Sequence, residues 1–303
     1  MNVRGVSWWV PAAAAGLLAA CALGPVAGPN RTILQDAATL VQECRYDEAE
    51  ALIRAHLGTI PERYRAELML AQGQIDEARG QLGPAIGHYA AAAAGRAAPE
   101  SAGRLLGRAQ VHNRQFEDGY RTLSALRGEI PLMAAGFDWI DMAALAVAAA
   151  ETGRMADAAD ALREAFRLSA QPYDPVIAEL GAHLAAARAS PGSAAPGGFW
   201  QPAYGTEGAG LALDKRPVAV ERKLPDVPAN PKAERAGGHI VLFLDITATG
   251  AVAEAKVMQS DPPGRLEVTS VAAVREWRFE PAREQCQAVA ASGIQRFEFG
   301  PGL

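Results

Sequence analysis

The sequence predicts an α+β protein of more than one domain, with an N-terminal solenoid of α-helical hairpins followed by a small β-β-α-β domain. Three observations lead there. Alanine-rich helical periodicity with a recurring large–small pair fills the first part of the chain. Near residue 190 the composition shifts to Pro, Gly, Ala and Ser. Beyond residue 238 the apolar period changes from helical to strictly alternating, as in a half-buried strand. At 303 residues, half of them apolar, the chain has room for about two packed domains. A net charge of −5 without a Lys/Arg block argues against nucleic acid, whose binding rests on neutralised phosphates.

Residues 1–23 read as an export signal: Arg4 precedes an uncharged run over residues 6–23 that is too alanine-rich, and too interrupted by Pro11, for a spanning helix. Leu18-Ala19-Ala20-Cys21 is similar to the lipobox of bacterial lipoproteins, which implies a lipid on the thiol of Cys21. Cleavage without a lipid and an uncleaved N-terminal anchor are the alternatives. The remaining cysteines, Cys44 and Cys286, are expected as buried free thiols, with pairing open to them in an oxidising compartment.

Residues 31–189 carry a repeat. Tyr46 and Ala49, Leu82 and Ala85, Phe116 and Gly119, and Met155 and Ala158 form large–small pairs at offsets of 36, 34 and 39 residues. Helical apolar positions follow each pair, and then a proline at 61, 99, 131 or 172. This pattern resembles the tetratricopeptide repeat, in which the small residue admits the paired helix and proline breaks the chain between units. Four units and a closing helix near residues 176–187 are expected, with Leu106-Gly107 and Gly153 as partial echoes of the first-helix consensus. A solenoid of this kind leaves a concave groove suited to a peptide or protein segment.

Residues 190–237 read as a linker, which at about 3.1 Å per residue could stretch on the order of 100 Å. Part of it, residues 216–227, is expected to lie along the last domain as an extended arm. Gly205, Gly208 and Gly210 lack the flanking strand and helix of a phosphate loop.

In residues 238–303 the run 240–247 places Ile240, Leu242, Leu244 and Ile246 on one face. A turn at Ala248-Thr249-Gly250 leads to a second strand over residues 252–260, where glycine supplies positive φ. An amphipathic helix over residues 266–277 follows, stopped by the effect of Pro281 on Glu280. Residues 289–299 close the domain as a strand. Gly250, Val252, Ser260, the Trp277-Arg278-Phe279 and Pro281 signature and the final Phe297-Glu298-Phe299 together resemble the C-terminal domain of the TonB energy-transducer family. Trp277, Phe279, Pro281 and Gly250 are expected to be structural, the aromatic rings locking helix to sheet. The family's proline-containing lead-in corresponds here to Leu224-Pro225 and Val227-Pro228, without its tyrosine.

The resemblance implies pairing of the last strand's edge with an extended box peptide of an outer-membrane receptor. By position that edge offers Val289, Ala291, Ile294, Gln295, Arg296 and Phe297. Main-chain bonds would supply the affinity with little demand on sequence. No enzymatic role, cofactor or metal is expected: the five histidines stand in separate segments, there is no C-x-x-C or H-x-x-x-H spacing, and there is no G-x-S-x-G elbow.

Two functions fit. One is an energy-transducer-like, periplasmic protein-binding protein in transport in a Gram-negative envelope. The other is a non-energised lipoprotein scaffold that bridges two envelope proteins, one of them an unidentified client of the helical repeats. Both place the chain at the membrane through a lipid or an N-terminal anchor.

Overall fold

A computed structural model describes residues 3–4, 29–59, 61, 64–95, 98–129, 137–169, 175–189, 198–204, 211, 213, 215–226, 238–261, 263–264 and 266–299. These belong to two compact units, one drawn from residues 14–169 and 179–205, the other from residues 1–13, 170–178 and 206–303.

The first unit is built from helical pairs: α1 (Pro29–Gln42) with α2 (Tyr46–His56), α3 (Arg65–Ala78) with α4 (Leu82–Ala93), α5 (Glu100–His112) with α6 (Phe116–Glu129), and α7 (Trp139–Glu151) with α8 (Met155–Leu168). Tyr46, Leu82, Phe116 and Met155, the large members of the sequence repeat, are each the first residue of a second helix. Their small partners Ala49, Ala85, Gly119 and Ala158 are buried. A second periodicity runs through the same register. Ala37, Gly73, Gly107 and Ala146 on the first helices are buried, as are Ile53, Tyr89, Leu123 and Leu162 on the second. A Cβ on Gly73 would lie 2.6 Å from the Tyr89 ring, and one on Gly107 2.6 Å from Leu123 Cγ, so the small residue sets how closely the helices approach.

Each hairpin turns in the same way. Cys44, Gly80, Arg114 and Gly153 adopt left-handed φ two residues before the second helix. The next amide reaches back to the first helix in every case: Arg45 to Leu40, Gln81 to Asp76, Gln115 to Gln110 and Arg154 to Ala149, at 2.7–2.8 Å. These bonds satisfy carbonyls that a helix end leaves without partners. Successive pairs pack α2 on α3, α4 on α5 and α6 on α7, and first helices also touch, α1 with α3 and α5 with α7. The apolar core is therefore shared between neighbouring pairs, as with Ile53, Leu68 and Ile75, or Leu70, Tyr89 and Leu105.

After α8 come α9 (Pro175–Ala189) and a five-residue helix, α10 (Trp200–Tyr204), which packs on α7. Helix α10 and β2 (Val218–Glu221) lie within residues 190–237, the stretch expected as a linker with an extended arm. Pro131, Pro172, the Val227-Pro228 pair, Gly205, Gly208, Gly210 and residues 6–23 with Cys21 lie outside the described residues.

The second unit centres on a four-stranded antiparallel sheet in the order β1-β8-β3-β4, where β1 is Val3–Arg4, β3 is Gly238–Ile246, β4 is Val252–Asp261 and β8 is Ala291–Phe299. Helix α11 (Glu267–Arg275) covers one face, and Ile240, Leu242, Leu244 and Ile246 meet Val274, Trp277, Phe279, Phe297 and Phe299 beneath it. Strand β2 (Val218–Glu221) pairs with β5 (Arg278–Glu280), and the short hairpin of β6 (Ala282–Glu284) and β7 (Gln287–Val289) leads into β8.

Three expectations change. The helix ends at Arg275 rather than at Trp277, because Arg278–Glu280 is already a strand held by β2 and by a bridge from Ala251. Val289 does not belong to the last strand: it pairs with Ala282 across a tight turn whose Gln285 and Cys286 take positive φ, the geometry that suits a two-residue hairpin. Cys44 and Cys286, expected as free thiols, are both disulfide-bonded.

Candidate functional site

Strand β8 is paired along its whole length on one side and only at one end on the other, among the described residues. Facing β3 it is in register from Ala291 opposite Ile246 to Phe299 opposite Gly238. On its other side β1 pairs at Glu298 and Phe299, and among the described residues no strand pairs with residues 291–297. The opposite edge of the sheet is β4, whose outward positions include Glu254, Lys256 and Asp261; charges of this kind are a common guard against unwanted strand addition.

The expected edge residues divide by the pleat of the strand. Ala291, Gln295 and Phe297 face inward and are buried. Phe297 meets Trp277 edge-on at 5.7 Å between ring centroids, and the Gln295 amide nitrogen donates to the Arg296 carbonyl at 2.6 Å. Ile294 and Arg296 are half-buried on the other face, beside Ser292, whose hydroxyl donates to Asp245 at 3.2 Å. Gln295 and Phe297 are therefore buried on the inner face of the strand rather than exposed at its edge. Val289 is set apart in β7, its pairing already taken by Ala282.

Of the four residues expected to be structural, Trp277 and Phe279 lie in the core beneath this sheet. Trp277 is 1% exposed, and its indole nitrogen donates to the Lys223 carbonyl at 2.7 Å. Its ring lies 6.1 Å from that of Phe279. Gly250, at φ 80°, donates to Thr247 and accepts from Phe279 at 2.8 Å; a Cβ there would stand 1.8 Å from the Phe279 carbonyl oxygen. The glycine is thus required twice, by its φ and by the strand crossing it. Pro281 separates β5 from β6.

The arm that holds Trp277 runs from Lys215 to Asp226. Lys215 exchanges backbone bonds with Arg283 at 3.2 and 2.9 Å, and its ammonium meets Glu280 at 2.6 Å. Lys223 reaches Glu276 at 2.8 Å, a contact that raises the lysine pKa. Leu224 is exposed and Pro225 buried.

On the helical unit the first helices carry buried charge. Asp141 is fully buried, closes a capping box with Asp138, and accepts from Arg104 at 2.7 Å. Tyr89 donates to Glu77 at 2.6 Å, and His88 lies 2.7 Å from Asp76. Burial, followed by the positive field of Arg108, lowers the His112 pKa to about 4. Sequence reasoning missed the aromatic residues 199–204 set against this region; their signal was three aromatics in a stretch otherwise made of Pro, Gly, small and polar residues. Among the described residues no three His, Cys, Asp or Glu side chains gather as a metal site, and no helix is long and apolar enough to cross a membrane.

A sheet closed on one face by a single helix and tied by an extended arm to the strand that follows Trp277 defines the architecture of the C-terminal module. Residues 224–301 match the family described as Gram-negative bacterial TonB protein C-terminal. Protein TonB of Escherichia coli (strain K12) is 31% identical over 67 residues, which are 22% of this chain and 28% of that protein. The chain therefore spans little more than a quarter of the length of this curated relative.

Proposed function

We propose that the protein is a periplasmic adaptor of the TonB type, exported to the envelope of a Gram-negative bacterium, whose C-terminal module captures an extended segment of an outer-membrane receptor or another envelope protein by strand addition. The observation that carries this reading is the asymmetry of β8, paired to β3 over its nine residues yet met on its outer side, among the described residues, by β1 at one end. Processing at Cys21 would remove β1 with the leader and open the edge over its full length.

Energetics favour a transient contact. An added strand along residues 291–297 gains on the order of six backbone bonds at about 1 kcal/mol each. That roughly offsets the association cost of a few kcal/mol or more. Pockets for alternate side chains, or tethering of the partner, must supply the remainder.

A second reading is a non-energised lipoprotein scaffold. It is favoured by the helical-pair unit, on whose α5 and α7 the aromatic segment 199–204 is seated. A lipid on Cys21 would hold one leaflet and relay no conformational change across the bilayer.

Single cysteines at Ser292, Ile294 and Arg296 test the edge, because these side chains stand on the face away from α11. Each full-length variant is mixed with receptor-derived peptides carrying one cysteine at successive positions. Disulfide yield alternating with peptide position is expected, in a register that shifts by two as the cysteine moves along β8. Yields without that alternation would remove the case for strand addition.

A further inference from the structure

Phe199, Trp200 and Tyr204 are the aromatic residues between positions 190 and 237, and they sit together against the first helices. The Trp200 indole nitrogen donates to the carbonyls of Val111 and His112 at the C-terminal end of α5, both at 3.1 Å. Above its ring the Arg114 guanidinium stands 4.0 Å from the centroid, a cation–π contact. Tyr204 stacks on Trp200 at 5.9 Å and on the His112 ring at 4.8 Å. One carboxylate oxygen of Glu151, at the end of α7, accepts from the amides of Phe199 and Trp200 at 2.7 and 2.9 Å.

Three features set this segment apart from the repeat it touches. Five helical residues do not hold a helix alone, so the turn exists only while docked. Its receptor is directional, reading an indole N–H, a ring face and two main-chain amides, as a peptide site does. Arg114 also stands where two of the other hairpin turns have Gly80 and Gly153, and holds a left-handed φ of 59° that glycine would adopt without strain.

The fit is incomplete at one end. The Tyr204 hydroxyl is buried without a hydrogen-bond partner. Leaving a buried donor unpaired is costly. A ligand that satisfied it would bind better than the one in place.

We propose that this face is a recognition site for a peptide turn bearing two aromatic residues four positions apart, and that Phe199–Tyr204 occupies it in cis as a displaceable internal ligand. The partner is a protein segment of that chemistry, with its leading amides free to meet Glu151 and a tryptophan under Arg114. The site stands independently of strand addition at β8. Tethering holds the internal copy at an effective concentration on the order of 1 mM, so a competitor in trans is disfavoured until the copy is released.

The test uses the full chain and a fluorescein-labelled synthetic peptide with the sequence of residues 197–206. The variant carrying Trp200→Ala and Tyr204→Ala should bind it on the order of ten-fold or more tightly than the intact chain does. Adding Arg114→Ala or Glu151→Gln to that variant should abolish the gain. Equal affinity in the intact chain and the double variant, or no binding to a folded double variant, overturns the proposal. Should the double variant lose its helical circular dichroism, the intact chain decides. Unlabelled peptide at about 1 mM should then speed hydrogen exchange at residues 199–204 while α5 and α7 amides stay unchanged. Unchanged exchange at 199–204 would show a structural strut and not a ligand.

Discussion

Trp277 does two jobs with one side chain. Its ring fills the space between helix and sheet against Phe279 and Phe297, and its nitrogen ties the arm through the Lys223 carbonyl. Replacement by alanine removes both, and large-to-small changes at such sites cost about 3–5 kcal/mol. Protection of β3 and β8 amides from hydrogen exchange should collapse at a denaturant concentration that leaves the amides of α3 to α8 protected; unchanged protection would contradict the packing. The sequence signalled Trp277 and Gly250 because a W-R-F-x-P run and a turn glycine carry their reasons locally. It gave no such signal for Gln295, a polar residue read as exposed edge that the alternation of β8 turns into the core. The left-handed conformations of Cys44 and Arg114 were equally silent, since neither residue type announces positive φ; only alignment with Gly80 and Gly153 reveals the shared turn.

Among elements, the helical pairs were the most legible, since their first residues are the large members of the repeat. The short elements were not. β2, β5, β6 and β7 have three or four residues each, too few for periodicity to register, and exist because each pairs with another. Helix α10 lay in a run whose composition promised only linker, and its Tyr204 stacks on the His112 ring, whose burial is expected to make the stability of the helical unit depend on pH. The folded chain holds that ring neutral down to about pH 4, by burial and then by Arg108, whereas the unfolded chain protonates it near 6.5. The unfolded state therefore binds more protons between those values, so the contribution is complete above pH 6.5 and is lost as pH falls toward 4. By pH 5 the loss amounts to about 2 kcal/mol at most. Urea unfolding of the helical unit at pH 7 and pH 5 should show a larger acid loss in the natural chain than in a His112→Gln variant; equal losses would exclude this coupling. Arg108 and Tyr204 lie beside the ring and do not change charge in that window.

For the molecule as a whole, two units of different construction suit two kinds of recognition. The helical unit reads side chains and helix-end amides at a preformed face, a mode that can be selective. A sheet edge reads backbone and can accept many sequences at low affinity. In the proposed function, the choice between transducer and scaffold turns on the N-terminal attachment, and strand addition turns on β8. Backbone hydrogen exchange along residues 291–297 of the full-length chain, free and with a receptor-derived peptide, tests strand addition most directly. Alternate amides of β8, those turned away from β3, should exchange quickly in the free chain and become protected in the complex while their neighbours stay unchanged. Protection confined to β4 or to the helical unit, with β8 exchanging as before, would contradict the account.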